Sequence, residues 1–98
     1  MAEWAFLTNH ALVLCSIAKQ LRITAREIAT TIGITERTTH NIINDLHTAG
    51  YITKKREGRR IKYRINPDLP LRHQTQEDKA IGDLLEALGW KRMQKRTR

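Results

Sequence analysis

The chain has 98 residues, enough for one small domain, and its 18 Lys/Arg and 10 Asp/Glu give a formal charge of +8. So basic a chain favours a polyanionic partner, nucleic acid first and an anionic membrane second. A single cysteine, Cys15, excludes a disulfide scaffold and suits a reducing compartment. The longest apolar run is too short to span a bilayer and no signal-peptide pattern is present, so we expect a cytoplasmic protein without a membrane partner.

The first predicted element is an amphipathic helix between Glu3 and Leu21, where apolar residues recur at steps of three and four. The apolar stripe of this helix begins at Trp4. Apolar residues outside the stripe, Val13 and Ile17 among them, predict that the helix is buried on more than one side. The three residues RIT that follow are long enough for a minimal strand or for a turn.

Two short helices joined at a glycine come next. Thr24 and Glu27 form a T-x-x-E capping box, which is typical of a helix start. Gly33 predicts the end of that helix, because glycine adopts the left-handed conformation without a Cβ clash. Thr35 is the predicted cap of a further helix, from Glu36 to about Thr48. The inward-facing residues of this helix are predicted to be Thr39, Ile42, Ile43 and Leu46.

The pattern then changes from a period of 3.6 to a period of two. The runs YITKKR and RIKYRI predict two strands, and EGR between them predicts a glycine-centred hairpin loop. Two prolines, Pro67 and Pro70, end the second strand. A last helix is predicted from about Thr75 to Leu88. The final segment, KRMQKRTR, is basic with nothing to pack, so we expect a mobile tail.

The segment AREIATTIGITERTTHNIINDL resembles a helix-turn-helix unit, with a small residue where two helices touch, a glycine at the turn and spaced aliphatic residues after it. The run I-T-E-R-T, followed by L-x-x-A-G-Y-I and a G-R-R wing, is similar to winged-helix transcription regulators of the multiple-antibiotic-resistance-regulator type and their arsenic-repressor-type relatives. The resemblance is closest over Leu21 to Ile65. It implies a mainly α fold with a small β-hairpin wing, a winged helix-turn-helix in the order α-β-α-α-β-β-α.

The sequence departs from these families at Thr39, where they usually place a valine or isoleucine. The methyl group of Thr39 can still pack in a core, but its hydroxyl needs a hydrogen-bond partner. A carbonyl one turn back along the helix is the expected partner.

The exposed face of the third helix carries residue types suited to reading bases. Arginine bonds a guanine edge bidentately and asparagine an adenine edge. A helix of about 13 residues is roughly 20 Å long and fits a major groove about 12 Å wide. The candidate base-reading residues are Arg37, His40, Asn41 and Asn44, and the candidate phosphate contacts at the helix N-terminus are Thr35 and Thr38. For His40, a solvated surface histidine is an equally good interpretation.

The hairpin carries the stronger electrostatic signal. The segment from Glu36 to Arg64 holds eight Lys/Arg against three Asp/Glu, a net charge of +5, whereas residues 65–90 have a net charge of −3. A wing of this composition is suited to lying along phosphates or to placing its tip in a narrow minor groove, which attracts arginine. The candidate DNA contacts in the wing are Lys54, Lys55, Arg56, Arg59, Arg60 and Lys62.

These patterns predict a domain organisation and a function. Residues 1–66 are the predicted winged helix-turn-helix DNA-binding domain, residues 67–90 a C-terminal helix for dimerisation and residues 91–98 a flexible basic tail. We interpret the protein as a homodimeric transcription regulator that binds specific double-stranded DNA. The alternative is a winged-helix module that binds protein or RNA without operator specificity. The predicted dimerisation residues are Ile81, Leu84, Leu85 and Leu88, although the same stripe also suits the core of a single chain.

Other chemistries find little support in the sequence. There is no Ser/His/Asp set, Gly-rich phosphate loop or paired-carboxylate site, so we do not expect an enzyme. One cysteine and scattered histidines do not supply a ligand cluster, so no metal or other cofactor is predicted. Cys15 lies on an apolar stripe and is interpreted as a buried, inert thiol in preference to a redox sensor. No pattern identifies a small-molecule effector.

Overall fold

The computed structural model describes residues 4–91. They form, in chain order, α1 (Asn9–Lys19), α2 (Ala25–Ile32), α3 (Glu36–Thr48), β1 (Ile52–Glu57), β2 (Arg60–Ile65) and α4 (Ile81–Ala87), with a 3-10 turn at Gln74–Gln76 before α4. The predicted fold class, mainly α with a small β-hairpin wing, is confirmed. Within the described residues, no helix combines the length and the apolar character needed to cross a membrane. The predicted tail lies, apart from Lys91, outside the described range.

Helix α1 begins later than predicted. Thr8 caps it, and the Thr8 Oγ1 accepts a hydrogen bond from the Ala11 amide at 3.2 Å. The prediction that Trp4 belongs to the apolar stripe of this helix is therefore wrong, because the cap satisfies an end amide and the preceding residues are not helical. Trp4 instead contacts Phe6 edge to face, with ring centroids 5.0 Å apart, and the two residues are 74% and 92% exposed.

The segment between α1 and α2 is a turn, so the short strand in the predicted element order is not formed. The Ile23 amide donates to the Gln20 carbonyl at 3.0 Å, which closes the turn, and Ile23 is buried in the core. The Leu21 carbonyl accepts one hydrogen bond from the Tyr63 amide at 2.8 Å. A turn this tight presents few backbone groups to β2. The corrected order is α-α-α-β-β-α.

The local signals around α2 and α3 are confirmed. Both halves of the capping box are present: the Glu27 amide donates to Thr24 Oγ1 at 3.1 Å, and the Thr24 amide donates to Glu27 Oε1 at 2.9 Å. Gly33 ends α2 with φ of 88°, the left-handed conformation that a side chain disfavours. Thr39 is fully buried, and its hydroxyl donates to the Thr35 carbonyl, one turn back, at 2.9 Å.

The wing is a tight antiparallel hairpin, β1 paired with β2. Glu57 pairs with Arg60, so the loop consists of Gly58 and Arg59, and Gly58 has φ of 63°. The base of the hairpin is held in the core through Ile52 and Tyr63. The outer half projects its charged residues into solvent.

The last helix is shorter than predicted. Its first predicted turn is the 3-10 turn, and Ala80 is extended, with φ of −86° and ψ of 154°. Two backbone hydrogen bonds hold residues 79–81 against residues 69–71, from the Leu71 amide to the Lys79 carbonyl and from the Ile81 amide to the Leu69 carbonyl, at 2.9 and 2.7 Å. These tertiary hydrogen bonds replace helical ones, which is why the periodicity of the sequence predicted a longer helix than the one that forms.

One hydrophobic core extends from α1 to α4. Val13, Leu14 and Ile17 of α1 pack in the same cluster as Ile81 and Leu85 of α4. Residues after the wing therefore contribute to the core that positions α3 and the hairpin.

Candidate nucleic-acid interface

Helix α3 has one buried face and one exposed face. Thr39, Ile42, Ile43 and Leu46 are buried, as the spacing predicts. The opposite face is exposed over its whole length, and it carries the four candidate base-reading residues, Arg37, His40, Asn41 and Asn44. The side chains of this face are therefore accessible to a DNA groove, since none of them packs in the core.

The N-terminus of α3 is capped by the residues predicted to contact phosphate. Thr35 Oγ1 accepts from the Thr38 amide at 3.0 Å and donates to Thr38 Oγ1 at 3.0 Å. Both residues are exposed. The Thr35 hydroxyl is thus engaged within the cap, while other amides of the first turn have no partner within the helix and carry its positive dipole end.

The wing presents its cations on both faces. Directly opposed residues of an antiparallel pair lie on the same face, so Lys55 and Lys62 share one face with Arg60, whereas Lys54 and Arg56 share the other face with buried Tyr63. The Lys55–Lys62 pairing places like charges directly across the strands, which costs stability in an isolated hairpin. Five of the six candidate wing residues are exposed and Lys62 is half-buried.

Glu57, the acidic residue of the wing, forms an ion pair. Glu57 Oε1 accepts from Arg22 Nε at 2.9 Å, across 35 positions of sequence. This hydrogen bond, with the positive charges of Arg22, Lys62 and Lys55, lowers the pKa of the Glu57 carboxyl. The carboxylate is therefore charged at neutral pH, and its nearest cation comes from the α1–α2 turn.

Two further polar side-chain contacts join α3 to the other helices. His10 Nε2 of α1 lies 2.8 Å from Asp45 Oδ2, and Arg26 Nε of α2 lies 4.0 Å from Glu36 Oε1. Together with the Arg22 pair they connect neighbouring elements at the surface. Sequence reasoning missed all three, because partners this far apart in the chain leave no local pattern.

The predicted dimerisation residues do not form one exposed stripe. Ile81 is 7% exposed and Leu85 is 1% exposed, both within the core of the single chain, and Leu84 packs partly against that core. Leu88 is 42% exposed. Two of the four residues are thus committed to the fold of one chain, the use that the sequence left open for them.

Cys15 is half-buried, less enclosed than predicted, and burial raises the pKa of its thiol. A raised pKa keeps the thiol protonated and weakly nucleophilic.

Among residues 4–91, no group of three or more His, Cys, Asp or Glu side chains is arranged to hold a metal ion.

A family model described as winged helix-turn-helix DNA-binding matches residues 9–53, which run from the start of α1 into β1 and include the whole of α2, the turn and α3. The chain has the winged helix-turn-helix fold. This confirms the resemblance found in the sequence and supports DNA as the partner over the protein- or RNA-binding alternative.

The winged helix-turn-helix domain is also similar to a solved structure. The crystal structure of MepR, a transcription regulator of the Staphylococcus aureus multidrug efflux pump MepA, matches with a TM-score of 0.53 and 19% sequence identity. The match covers 60% of this chain and 46% of the MepR chain, so it spans less than half of MepR. At this identity the likeness concerns the fold. No curated protein sequence matches the chain.

Proposed function

We propose that the protein is a transcription regulator that binds specific sites in double-stranded DNA, with α3 in the major groove and the wing on the neighbouring backbone or minor groove. The observation that carries the proposal is the exposed face of α3, polar and free of core contacts, in a DNA-binding domain whose hairpin holds six candidate cations. The polar side chains supply base recognition and the cations supply affinity for phosphate.

The spacing along α3 suits successive base pairs. Arg37, Asn41 and Asn44 follow one another at steps of four and three, so they lie along one line of the helix. At a rise of about 1.5 Å per residue they span roughly 10 Å, close to three base-pair steps of about 3.4 Å. A single domain therefore reads only a short sequence.

A short half-site favours a homodimer. Two domains related by a two-fold axis read a near-palindromic site twice as long, with their recognition helices about 34 Å apart. Of the predicted dimerisation residues, the partly buried Leu84 and Leu88, the C-cap of α4, remain for such a contact. A cytoplasmic location and the absence of a membrane partner remain predictions from the sequence.

Selection from a randomised duplex library tests the proposal. The full chain should enrich a near-palindromic sequence and bind it at least 1000-fold more tightly than a scrambled duplex at the same salt concentration. The matched control is the triple variant Arg37→Ala, Asn41→Ala, Asn44→Ala, which should retain scrambled-duplex binding and lose the preference. Equal binding to every duplex, or tighter binding to single-stranded RNA, would contradict the proposed function.

A further inference from the structure

The α1–α2 turn contacts the wing at two points. At the first, the Leu21 carbonyl accepts a hydrogen bond from the Tyr63 amide at 2.8 Å. At the second, Arg22 Nε donates to Glu57 Oε1 at 2.9 Å. The turn itself is fixed, because Ile23 is buried in the core and its amide closes the turn on the Gln20 carbonyl. Both contacts therefore start from a rigid part of the domain.

The two contacts are well separated along the hairpin. Tyr63 lies opposite Lys54, and Glu57 lies three residues further along β1. At about 3.3 Å per residue, the Arg22–Glu57 pair is roughly 10 Å further out than the backbone hydrogen bond. One contact near the base leaves a two-stranded ribbon free to swing and twist, whereas a second contact further out fixes its direction.

The position of Glu57 is unfavourable for DNA binding unless the carboxylate is neutralised. Glu57 is the one acid between Ile52 and Ile65, beside cations that attract phosphate. An unpaired carboxylate here would repel the backbone that those cations bind. Arg22 neutralises it from outside the wing, so Lys55, Arg60 and Lys62 remain available.

We propose that Arg22 is a positioning residue for DNA recognition, holding the wing through Glu57 at the angle at which its cations meet the DNA while α3 occupies the groove. This role rests on the proposed function. The pair is 51% and 34% exposed, so it contributes little to the stability of the fold. Its effect belongs to the orientation of the wing.

Two substitutions separate positioning from net charge. Arg22→Gln lowers the net charge by one and Glu57→Gln raises it by one, while each removes the same ion pair. If the pair positions the wing, both variants lose three- to fivefold in the ratio of selected-site to scrambled-duplex affinity. If only net charge acts, the two variants shift all affinities in opposite directions and leave the ratio unchanged, which would overturn the proposal.

Control variants and a rescue complete the test. Lys79→Gln and Glu77→Gln make the same charge changes in the segment after the wing and should leave the ratio unchanged. The charge swap, Arg22→Glu with Glu57→Arg, restores the pair at constant net charge and should recover the ratio. If the charge-swapped variant has the melting temperature of the parent but does not recover the affinity ratio, the positioning role of the Arg22–Glu57 pair is contradicted.

Trypsin digestion without DNA measures the wing independently. If the hairpin is looser, trypsin should cleave after Arg56, Arg59 and Arg60 at least threefold faster in both variants than in the parent. Mass spectrometry measures these cleavage rates. The melting temperatures of the variants should stay within 2 °C of the parent. Unchanged cleavage would overturn the positioning role. A parent protein that shows no preference among duplexes would contradict the proposed function and the role of Arg22 in recognition. The digestion would then still decide whether the pair holds the wing.

Discussion

The polar residues of α3 divide into those that build the helix and those that face outward. Thr35 caps the helix and Thr39 is buried with its hydroxyl bonded to a backbone carbonyl. Arg37 and Asn41 are exposed and neither cap the helix nor pack in the core. The outward pair is therefore the place to test base recognition without disturbing the fold.

Replacing either outward residue should reduce specificity. Arg37→Ala or Asn41→Ala should cost about 1–3 kcal/mol of binding free energy on the selected site and little on scrambled DNA, because each removes a bidentate base contact. Titration of both duplexes at one salt concentration measures the difference. Equal losses on the two duplexes would mean that these residues contact phosphate only.

Most residue-scale features of the helix-turn-helix were predictable from the sequence. The caps, the glycine turn and the buried stripe depend on neighbours within four positions, and so did the expected partner of the Thr39 hydroxyl. The polar side-chain contacts of Arg22, Arg26 and His10 join different elements, so their partners were not predictable. The positioning role inferred for Arg22 belongs to this second group.

At the scale of single elements, α2 carries a charged cap. The Glu27 carboxylate accepts a hydrogen bond from the Thr24 amide, and this bond, with the Thr24 side chain and the charge of Arg60, lowers the pKa of Glu27. A carboxylate also interacts favourably with the positive end of the helix dipole. The charged form therefore stabilises the folded state.

The contribution of this cap should depend on pH. Because the folded-state pKa is lowered, the stabilisation is complete above the unfolded-state value of about 4.3 and is lost as the pH falls through the lower folded-state value. Glu27→Gln should be less stable than the parent at pH 7, and the difference should narrow below about pH 4. Urea unfolding of both proteins between pH 7 and pH 3 measures it. A difference that is constant over this range would show that the charge of the cap does not matter.

The wing should act through its charge. Arg59 is in the hairpin loop and Arg60 is the first residue of β2, both exposed. Arg59→Ala with Arg60→Ala should weaken binding to all duplexes and reduce the slope of log K against log salt by about one to two, because fewer counterions are released. Arg72→Ala with Lys79→Ala is the charge-matched control. An unchanged slope in the wing variant would remove the wing tip from the interface.

At the scale of the whole molecule, α4 belongs to the fold of the single chain. Leu85 is 1% exposed and packs in the cluster that contains α1. Leu85→Ala should lower the free energy of unfolding by about 2–5 kcal/mol, because it leaves a cavity in a packed core. Leu88→Ala, two turns from Ile81 and 42% exposed, should change it by less than about 1 kcal/mol. Equal effects in denaturant unfolding would contradict this placement of α4.

Self-association should depend on the exposed end of α4. Leu88→Glu should weaken dimerisation at least tenfold, because it places a charge on the predicted dimerisation residue that is exposed. Ala87→Glu introduces the same charge on the neighbouring exposed position and is the matched control. Sedimentation equilibrium measures both. A parent protein that is monomeric at high micromolar concentration would rule out a dimer that forms without DNA.

Local signals along the chain were enough to predict the capping box, the glycine turn, the bounds of α3 and the basic hairpin. Periodicity, caps and turn glycines act over a few residues and predicted these elements, and the resemblance to winged-helix regulators added the expectation of a DNA-binding fold. The tertiary structure decided where α1 starts, the turn in place of a strand at Leu21–Thr24, and the short α4. Before α4, backbone hydrogen bonds between distant segments, those around Ala80, replaced the helical bonds that the local pattern favoured, whereas a local bond from the Ile23 amide to the Gln20 carbonyl closes the turn. It also decided that Ile81 and Leu85 fill the core, because an apolar stripe shows that a face is buried but not what covers it.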